Sequence, residues 1–331
     1  MNKALKLFGI ACIAAQASAA LADEGVEFFK GKTVTYIVAT APGGGYDSYG
    51  RLVAEYMQRN LPGSTFVVKN MPGAGHIIGA NAVYASKGDG LTLGTFNTGL
   101  IYNQIVNQQG VKFDLTKMSW IGKAASDPRV VVIAAQSPIK SFEDLVAQKQ
   151  PVNFASAGPG SASFVETVIL TNSLKLPVKN LTGYNGTDDQ LAMRRGEVVG
   201  SIASRSSYAT FIENGYGRFI AQIGGAEKDV PQLSSLVKDA RALELIALVQ
   251  SQGDIARLTA GPPGIPADRL KTLIGAYKAA MEDKELQARA EKLERPVEPA
   301  YGEEVAKAVA AALNQSDETK KLLAEALKKD K

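Results

Sequence analysis

Residues 33–51 read Thr-Val-Thr-Tyr-Ile-Val-Ala-Thr-Ala-Pro-Gly-Gly-Gly-Tyr-Asp-Ser-Tyr-Gly-Arg, and the order of residue types in this stretch decides the fold class. The β-branched and aromatic run at 34–38 predicts a buried strand. Pro42 lacks an N–H and cannot continue a central ladder, so the strand ends there. Gly43, Gly44 and Gly45 follow, free to take positive φ and carrying no side chain that would obstruct a ligand. Asp47 is the expected N-cap of a helix whose apolar face holds Leu52, Val53 and Tyr56. A strand, a glycine turn and a helix start in this order aim backbone N–H groups and a positive dipole end at one point, where a small anion binds. Asp47 and Arg51 are spaced i,i+4 and are expected to pair locally.

The same arrangement recurs outward from this stretch. Residues 66–68 predict a second strand, ending in Asn70-Met71-Pro72-Gly73-Ala74-Gly75 before a helix over 77–86. A third strand over 91–96 ends at Asn97-Thr98. Strands at 120–124 and 130–133 flank Asp127-Pro128, where the chain leaves the first domain. Ser141-Phe142-Glu143-Asp144 has the form of a capped helix start. A second α/β unit then opens with a strand at 152–155, the turn Ala157-Gly158-Pro159-Gly160-Ser161 and a helix over 162–173. A strand at 181–184 leads to the turn Tyr184-Asn185-Gly186-Thr187-Asp188 and a helix to Arg195, and further strands lie at 198–202 and 219–223. From about residue 254 the chain is expected to cross back, with a strand over 258–263 and long helices over 267–294 and 302–327. Alternating strands and helices imply parallel sheets with right-handed crossovers. The expected architecture is α/β: domain 1 from 23–124 plus 254–331 and domain 2 from 125–253, joined by two hinge crossings with the ligand in the cleft.

Length and composition agree with this. A chain of 331 residues has room for two domains, and 45% apolar with 21% charged residues describes a globular protein. Lys3 and Lys6, an apolar run over 7–15 and Ala20-Leu21-Ala22 form a secretory signal peptide with cleavage expected after Ala22. Cleavage removes two lysines from a formal net charge of +4, a balance that offers nothing to nucleic acid. The only cysteine, Cys12, leaves with the signal, so the exported chain has no disulfide and no thiol chemistry. Such a chain suits a bacterial periplasm. No later stretch is apolar enough to span a membrane.

The candidate ligand contacts are the loop Pro42, Gly43, Gly44, Gly45, Tyr46 and Asp47, the strand end Asn97-Thr98, the turn Ala157, Gly158, Gly160 and Ser161, and the turn Tyr184, Asn185, Gly186, Thr187 and Asp188. Arg205 is added as a residue able to pair with a carboxylate or to stand as a solvated helix-start residue. His76, the single histidine, reads as a helix-start residue near the cleft. It has no cysteine partner and no motif frames a serine nucleophile, so no catalytic group is assigned. Gly73-Ala74-Gly75-His76-Ile77-Ile78-Gly79 misses the spacing of a dinucleotide fingerprint by one residue, and no metal-ligand spacing occurs, so neither cofactor nor metal is expected.

Gly43-Gly44-Gly45-Tyr46-Asp47 with Arg51, then Asn70-Met71-Pro72-Gly73-Ala74-Gly75, then Gly88-Asp89-Gly90-Leu91-Thr92 recur in this order in one family. The chain resembles the tripartite tricarboxylate transporter receptors, the Bug-type periplasmic solute-binding proteins, over essentially all of its exported length. The resemblance implies a type II periplasmic binding fold and a small organic carboxylate gripped in the cleft by backbone amides, hydroxyls and water. It also implies delivery to the large and small membrane subunits of an ion-gradient-driven permease, with a monomer as the default state. Where members often carry a serine-rich turn with a histidine, this chain has Gly160-Ser161-Ala162-Ser163-Phe164, and where they carry lysine-glycine it has Asn185-Gly186. The alternatives are a ligand-sensing periplasmic protein that partners a membrane receptor and, from another class, an enzyme on the same fold.

Overall fold

The computed structural model describes residues 25–328. The signal-peptide reading of residues 1–22 falls outside them. After a short helix α1 (residues 25–29), the first lobe builds β1 (Thr33–Val38), α2 (Gly45–Arg59), β2 (Thr65–Asn70), α3 (Ile77–Tyr84), β3 (Thr92–Phe96), α4 (Gly99–Ile105) and β4 (Ser119–Lys123). The chain then crosses to β5 (Arg129–Ala134), α5 (Phe142–Val146), β6 (Val152–Ser156), α6 (Ala162–Leu174), β7 (Val178–Thr182), α7 (Asp188–Arg195), β8 (Gly200–Ser204), α8 (Ala209–Glu213), β9 (Gly217–Ile223) and α9 (Ala240–Asp254). It returns through β10 (Leu258–Gly261), α10 (Ala267–Glu282), α11 (Lys284–Lys292), β11 (Ala300–Tyr301), α12 (Glu303–Leu313) and α13 (Asp317–Lys328).

The strands form two sheets, ordered β11-β4-β10-β3-β1-β2 and β7-β6-β8-β5-β9. The parallel sheets expected from local alternation are only partly realised. The β2-β1-β3 and β7-β6-β8 runs are parallel, but β10 is antiparallel to β3 and β4, and β5 to β8 and β9. The cause is the hinge. Strands β5 and β10 are those by which the chain enters a lobe from the other one, and such a strand arrives without a crossover helix; β11, also antiparallel to β4, is a short edge strand within the first lobe. The β1 register shows how the first lobe closes. Val34, Tyr36, Ile37 and Val38 are buried, and Tyr36 shares a buried hydrogen bond of 2.7 Å with Thr259 on β10. Helix α2 lays Tyr49, Leu52, Val53, Tyr56 and Met57 on this sheet at helical spacing. Gly50 is required there, because a Cβ would stand 2.6 Å from Val38 Cγ2.

Several elements differ from the sequence expectation. Helix α2 begins at Gly45 with Gly44 as N-cap, so Asp47 lies in its first turn and does not cap it. The expected helix over 267–294 is broken at Asp283, whose carboxylate caps α11 through the N–H groups of Glu285 and Leu286. The expected helix over 302–327 is broken between α12 and α13, and α13 does not stay with the first lobe. Leu322, Leu323 and Ala326 pack into the core around Phe154, Val165 and Ile169, so the C-terminal helix of the 254–331 segment buries its face on the second lobe. Amphipathicity settles that a helix needs a partner but not which one. Beyond the two hinge crossings, the chain therefore passes over once more.

The two hinge strands run side by side: Ala124 N–H donates to Arg257 O at 3.1 Å and Asp127 N–H to Gly253 O at 2.9 Å. Arg257 is buried with a left-handed backbone (φ 59°), pairs with Asp127 and donates to Ser206 Oγ at 2.8 Å. Burial alone would raise the Asp127 carboxyl, but Arg257 and Arg129 outweigh it and hold the group below its ordinary range. Removing one partner of such a pair leaves a charge without compensation, at a cost of about 3–5 kcal/mol. Arg257→Ala is therefore expected to lower the unfolding free energy by an amount in that range, read as a lower urea midpoint at unchanged slope. A midpoint like that of the parent protein would contradict the pairing.

Candidate functional site

The carboxyl-terminal ends of the parallel strands in both sheets meet across the interlobe cleft and enclose a cavity of about 90 Å³. The first lobe supplies Thr40, Gly44, Gly45 and Tyr46 from the β1–α2 corner, His76 before α3 and Asn97 after β3. The second lobe supplies Ala157, Ala162, Ser163 and Glu166 around the start of α6, then Tyr184, Asn185, Gly186, Asp189 and Gln190 around the start of α7. Arg129, Ala203, Ser204, Ser207 and Tyr208 complete the wall.

The lobes touch directly. A Cβ on Gly44 would lie 3.1 Å from Gly186 O, and one on Gly75 only 2.0 Å from Pro159 O, so both glycines are needed for this approach. Asn97 Oδ1 accepts from the N–H of Ala162 at 3.2 Å, and Asn103 Nδ2 donates to Gly160 O at 2.7 Å. Arg129, on β5, donates to Thr98 Oγ1 at 2.9 Å across the joint.

Donors converge at the start of α2. Among the described residues no group accepts a hydrogen bond from the backbone N–H of Gly44, Gly45 or Tyr46, and all three residues line the cavity. These are the orphan amides of a helix N-terminus, where the dipole adds about 0.3–1 kcal/mol to the binding of an anion. Asp47 does not compete for them. Its Oδ2 accepts from Gly43 N–H and from Arg51 Nε, both at 3.0 Å, and its Oδ1 from Asn70 Nδ2 at 2.8 Å. Burial raises the Asp47 carboxyl and these donors outweigh that, leaving it below the ordinary value. Thr40 Oγ1, Tyr46 Oη and His76 Nδ1 are buried atoms of cavity-lining residues with no protein partner.

The two arginines close to this corner are already neutralised. Arg129 Nε donates to both oxygens of Glu166 at 2.8 and 2.9 Å, its Nη1 donates to Ser204 Oγ at 2.7 Å, and the pair is fully buried. Burial raises the Glu166 carboxyl and Arg129 pulls it back. Arg257 stacks 4.0 Å from the Tyr46 ring centroid and pairs through Nη2 with Asp127, while its Nε and Nη1 have no protein partner. A carboxylate entering here therefore meets amides and hydroxyls, not a free cation.

Of the sequence candidates, Gly44, Gly45, Tyr46, Asn97, Ala157, Tyr184, Asn185 and Gly186 line the cavity. Pro42, Gly43 and Asp47 stand behind the first corner, where the Asp47–Gly43 bond shapes it. Gly158, Gly160 and Ser161 shape the start of α6, with Ser161 capping it through Phe164 N–H. Thr98 is reached by Arg129, and Thr187 and Asp188 form the turn into α7 without lining the cavity. Arg205 is not brought to the cavity. Its guanidinium is held at the outside of the hinge by Glu227 at 2.6 Å and Glu294 at 3.0 Å, a link between the lobes. Among the described residues no group of three or more His, Cys, Asp or Glu side chains could hold a metal ion.

The sequence reading missed Arg129, Glu166, Asp189, Tyr208 and the part played by His76. His76 adopts φ 80° and is buried, which pulls its imidazole down to about 4 and keeps it neutral. Asp189 accepts from the Tyr208 hydroxyl and from Gln190 N–H, and burial pushes its carboxyl up to about 6 despite both donors. Because the folded protein holds this proton more tightly than the unfolded chain, stability falls as pH rises from 3.8 to about 6 and stays reduced above it. Two units correspond to about 3 kcal/mol. Asp189→Asn is thus expected to stabilise the ligand-free protein by up to about 3 kcal/mol near neutral pH, with the gain vanishing toward pH 3. Denaturant titrations at several pH values measure this, and a pH-independent difference would contradict it.

The sequence model of the tripartite tricarboxylate transporter family receptor matches residues 50–322, a span that begins just past the glycine corner. A Cupriavidus necator protein described as "UPF0065 protein in gbd 5'region" is 25% identical over 286 residues, 83% of this chain and 80% of that one. Protein BugT of Bordetella pertussis is 27% identical over 241 residues, 67% and 68% of the two chains. For a Pseudomonas relative the match spans only 55% of its length. Among solved structures, the periplasmic binding protein BugD superposes with a TM-score of 0.73 at 20% identity, covering 90% of this chain and 97% of that one. MatC of Rhodopseudomonas palustris, solved with bound malate, gives 0.71 at 21% identity over 88% and 99%. An R. palustris protein solved with adipate gives 0.73 at 17% identity over 88% and 97%. These structural likenesses are likenesses of fold.

Proposed function

The chain belongs to the tripartite tricarboxylate transporter receptor family, and on that footing we propose that it is a periplasmic receptor capturing a small organic carboxylate between its lobes. The observation that carries this reading is the set of three backbone N–H groups, of Gly44, Gly45 and Tyr46, turned to an interlobe cavity that holds no free cation. One carboxylate accepts from these amides, with Thr40 and Tyr46 hydroxyls within the same wall. Hydrogen bonds to a charged group contribute about 1.5–3 kcal/mol each. Three or four of them, less desolvation and ordering, reach the roughly −8 kcal/mol of micromolar affinity. The malate and adipate in two proteins of the same fold agree with this class of ligand.

Ligand contacts from both lobes exist only in the closed form, so binding shifts the population toward closure. The closed receptor, acting as a monomer, then presents its ligand to the large and small membrane subunits of an ion-gradient-driven permease. The family membership supports this role over catalysis.

A thermal-shift screen of the purified protein with small mono-, di- and tricarboxylates, neutral sugars and cations tests the reading. Carboxylates are expected to raise the melting temperature by mass action. A response confined to sugars or cations would contradict it. Gly44→Val places branched carbons against Gly186 and across the amide corner, so it is expected to abolish the shift while changing the ligand-free melting temperature little. Unchanged affinity in that variant would place the site elsewhere.

A further inference from the structure

The wall facing the amide corner has the opposite chemistry. Asp189 lines the cavity as a carboxylate, and among the described residues no cation pairs with it; its partners are the Tyr208 hydroxyl and the Gln190 N–H. His76 is 5% exposed, and its Nδ1 has no protein partner although the residue lines the same cavity. The ring lies beside the Asn97 side chain, whose Oδ1 accepts from the N–H groups of Gly99 and Ala162. An acid in this space with no cation beside it calls for a positively charged donor.

Charge balance points the same way. The Arg129–Glu166 pair contributes no net charge to the wall, which leaves Asp189 as the one uncompensated ionisable group among those lining the cavity. A ligand with two or three carboxylates would bring every charge beyond the first into a site already carrying an uncompensated acid. A ligand with one carboxylate and one ammonium would neutralise Asp189 and satisfy the amide corner together. The space between the touching lobes is small, about 90 Å³, and opens to solvent on one side. A compact molecule fits with the lobes in contact.

Building on the carboxylate reading above, we infer that the ligand is a compact amino acid, its carboxylate on the amides of Gly44–Tyr46 and its ammonium held by Asp189. Asp189 and the amide corner belong to different lobes, so a ligand bound at both ends draws the lobes together. Burial, the Tyr208 hydroxyl, the Gln190 N–H and Asp188 beside it on α7 set the Asp189 charge, and the other titratable groups on the cavity wall are His76 and the Arg129–Glu166 pair. Since burial lifts the Asp189 carboxyl to about 6, preference for the amine is expected to grow as pH rises through that value.

Isothermal titration of the purified full chain with matched acids tests this: glycine and acetate, alanine and propionate, aspartate and succinate. At about pH 7.5 at least one amino acid is expected to bind about tenfold or more tightly than its desamino partner. Asp189→Asn, which keeps the size and the acceptor for Tyr208, is expected to bring that ratio close to one, and lowering the pH to about 5 is expected to shrink it in the parent protein. The melting temperature of the variant, measured alongside, reports whether it is folded. If the desamino acid binds as tightly in every pair, or if Asp189→Asn keeps the full preference while folded, the inference is overturned and the carboxylate reading stands. If no member of any pair binds, the inference is overturned, and the carboxylate reading is decided by the wider screen of mono-, di- and tricarboxylates.

Discussion

Two arginines are buried where the lobes join, and each must meet its countercharge inside the protein. Arg129 finds Glu166, and Arg257 finds Asp127. Taking ions of this size out of water costs several kcal/mol apiece, so neither side chain can swing toward a ligand without abandoning a partner equally buried. The rest of the site follows from that constraint. The cleft has cations at its floor, each already paired with an acid, and recognition of an anion passes to the backbone at the start of α2. There the glycines leave the N–H groups unobstructed, and Asp47 ties the corner from behind through Gly43. Arg257 under the Tyr46 ring still contributes a favourable field without a direct bond.

The same pairs hold the lobes together. Arg129 reaches Thr98, Arg257 reaches Ser206, Arg295 donates to Ser206 O, and Arg205 spans Glu227 and Glu294. Near the cleft the contacts are thinner: glycines at 44, 75 and 186, an amide from Asn97 and another from Asn103. Small residues let the lobes meet closely while binding each other weakly, so a ligand that touches both walls can decide the balance between open and closed. Strong coupling is thus confined to the hinge, and adjustable coupling to the mouth.

Much of this was legible in the sequence because it is local. Strand, glycine turn and helix start are written in consecutive residues, and the corners at 42–47, 157–161 and 184–188 lie at the cleft. What was not legible depends on residues far apart or on helical phase. Glu166 lies 37 positions from Arg129, and in the sequence each is indistinguishable from a solvated charge. Asp188 was the named candidate, whereas Asp189 lines the cavity, because one step along a helix turns a side chain by about 100°. Arg205 follows a strand end as a ligand-binding arginine would, yet two glutamates from different lobes claim it. Strand direction was equally hidden: nothing in the residues of β5 or β10 records that each arrives from the other lobe.

The central claim is that backbone amides, not a guanidinium, hold the ligand's acid. A crystal structure of the liganded protein tests it most directly. The account predicts a carboxylate oxygen about 2.7–3.2 Å from the N–H groups of Gly44–Tyr46, with Arg129 still on Glu166. A ligand acid paired with Arg129 and Glu166 displaced, or a bound molecule with no acid at this corner, would contradict it.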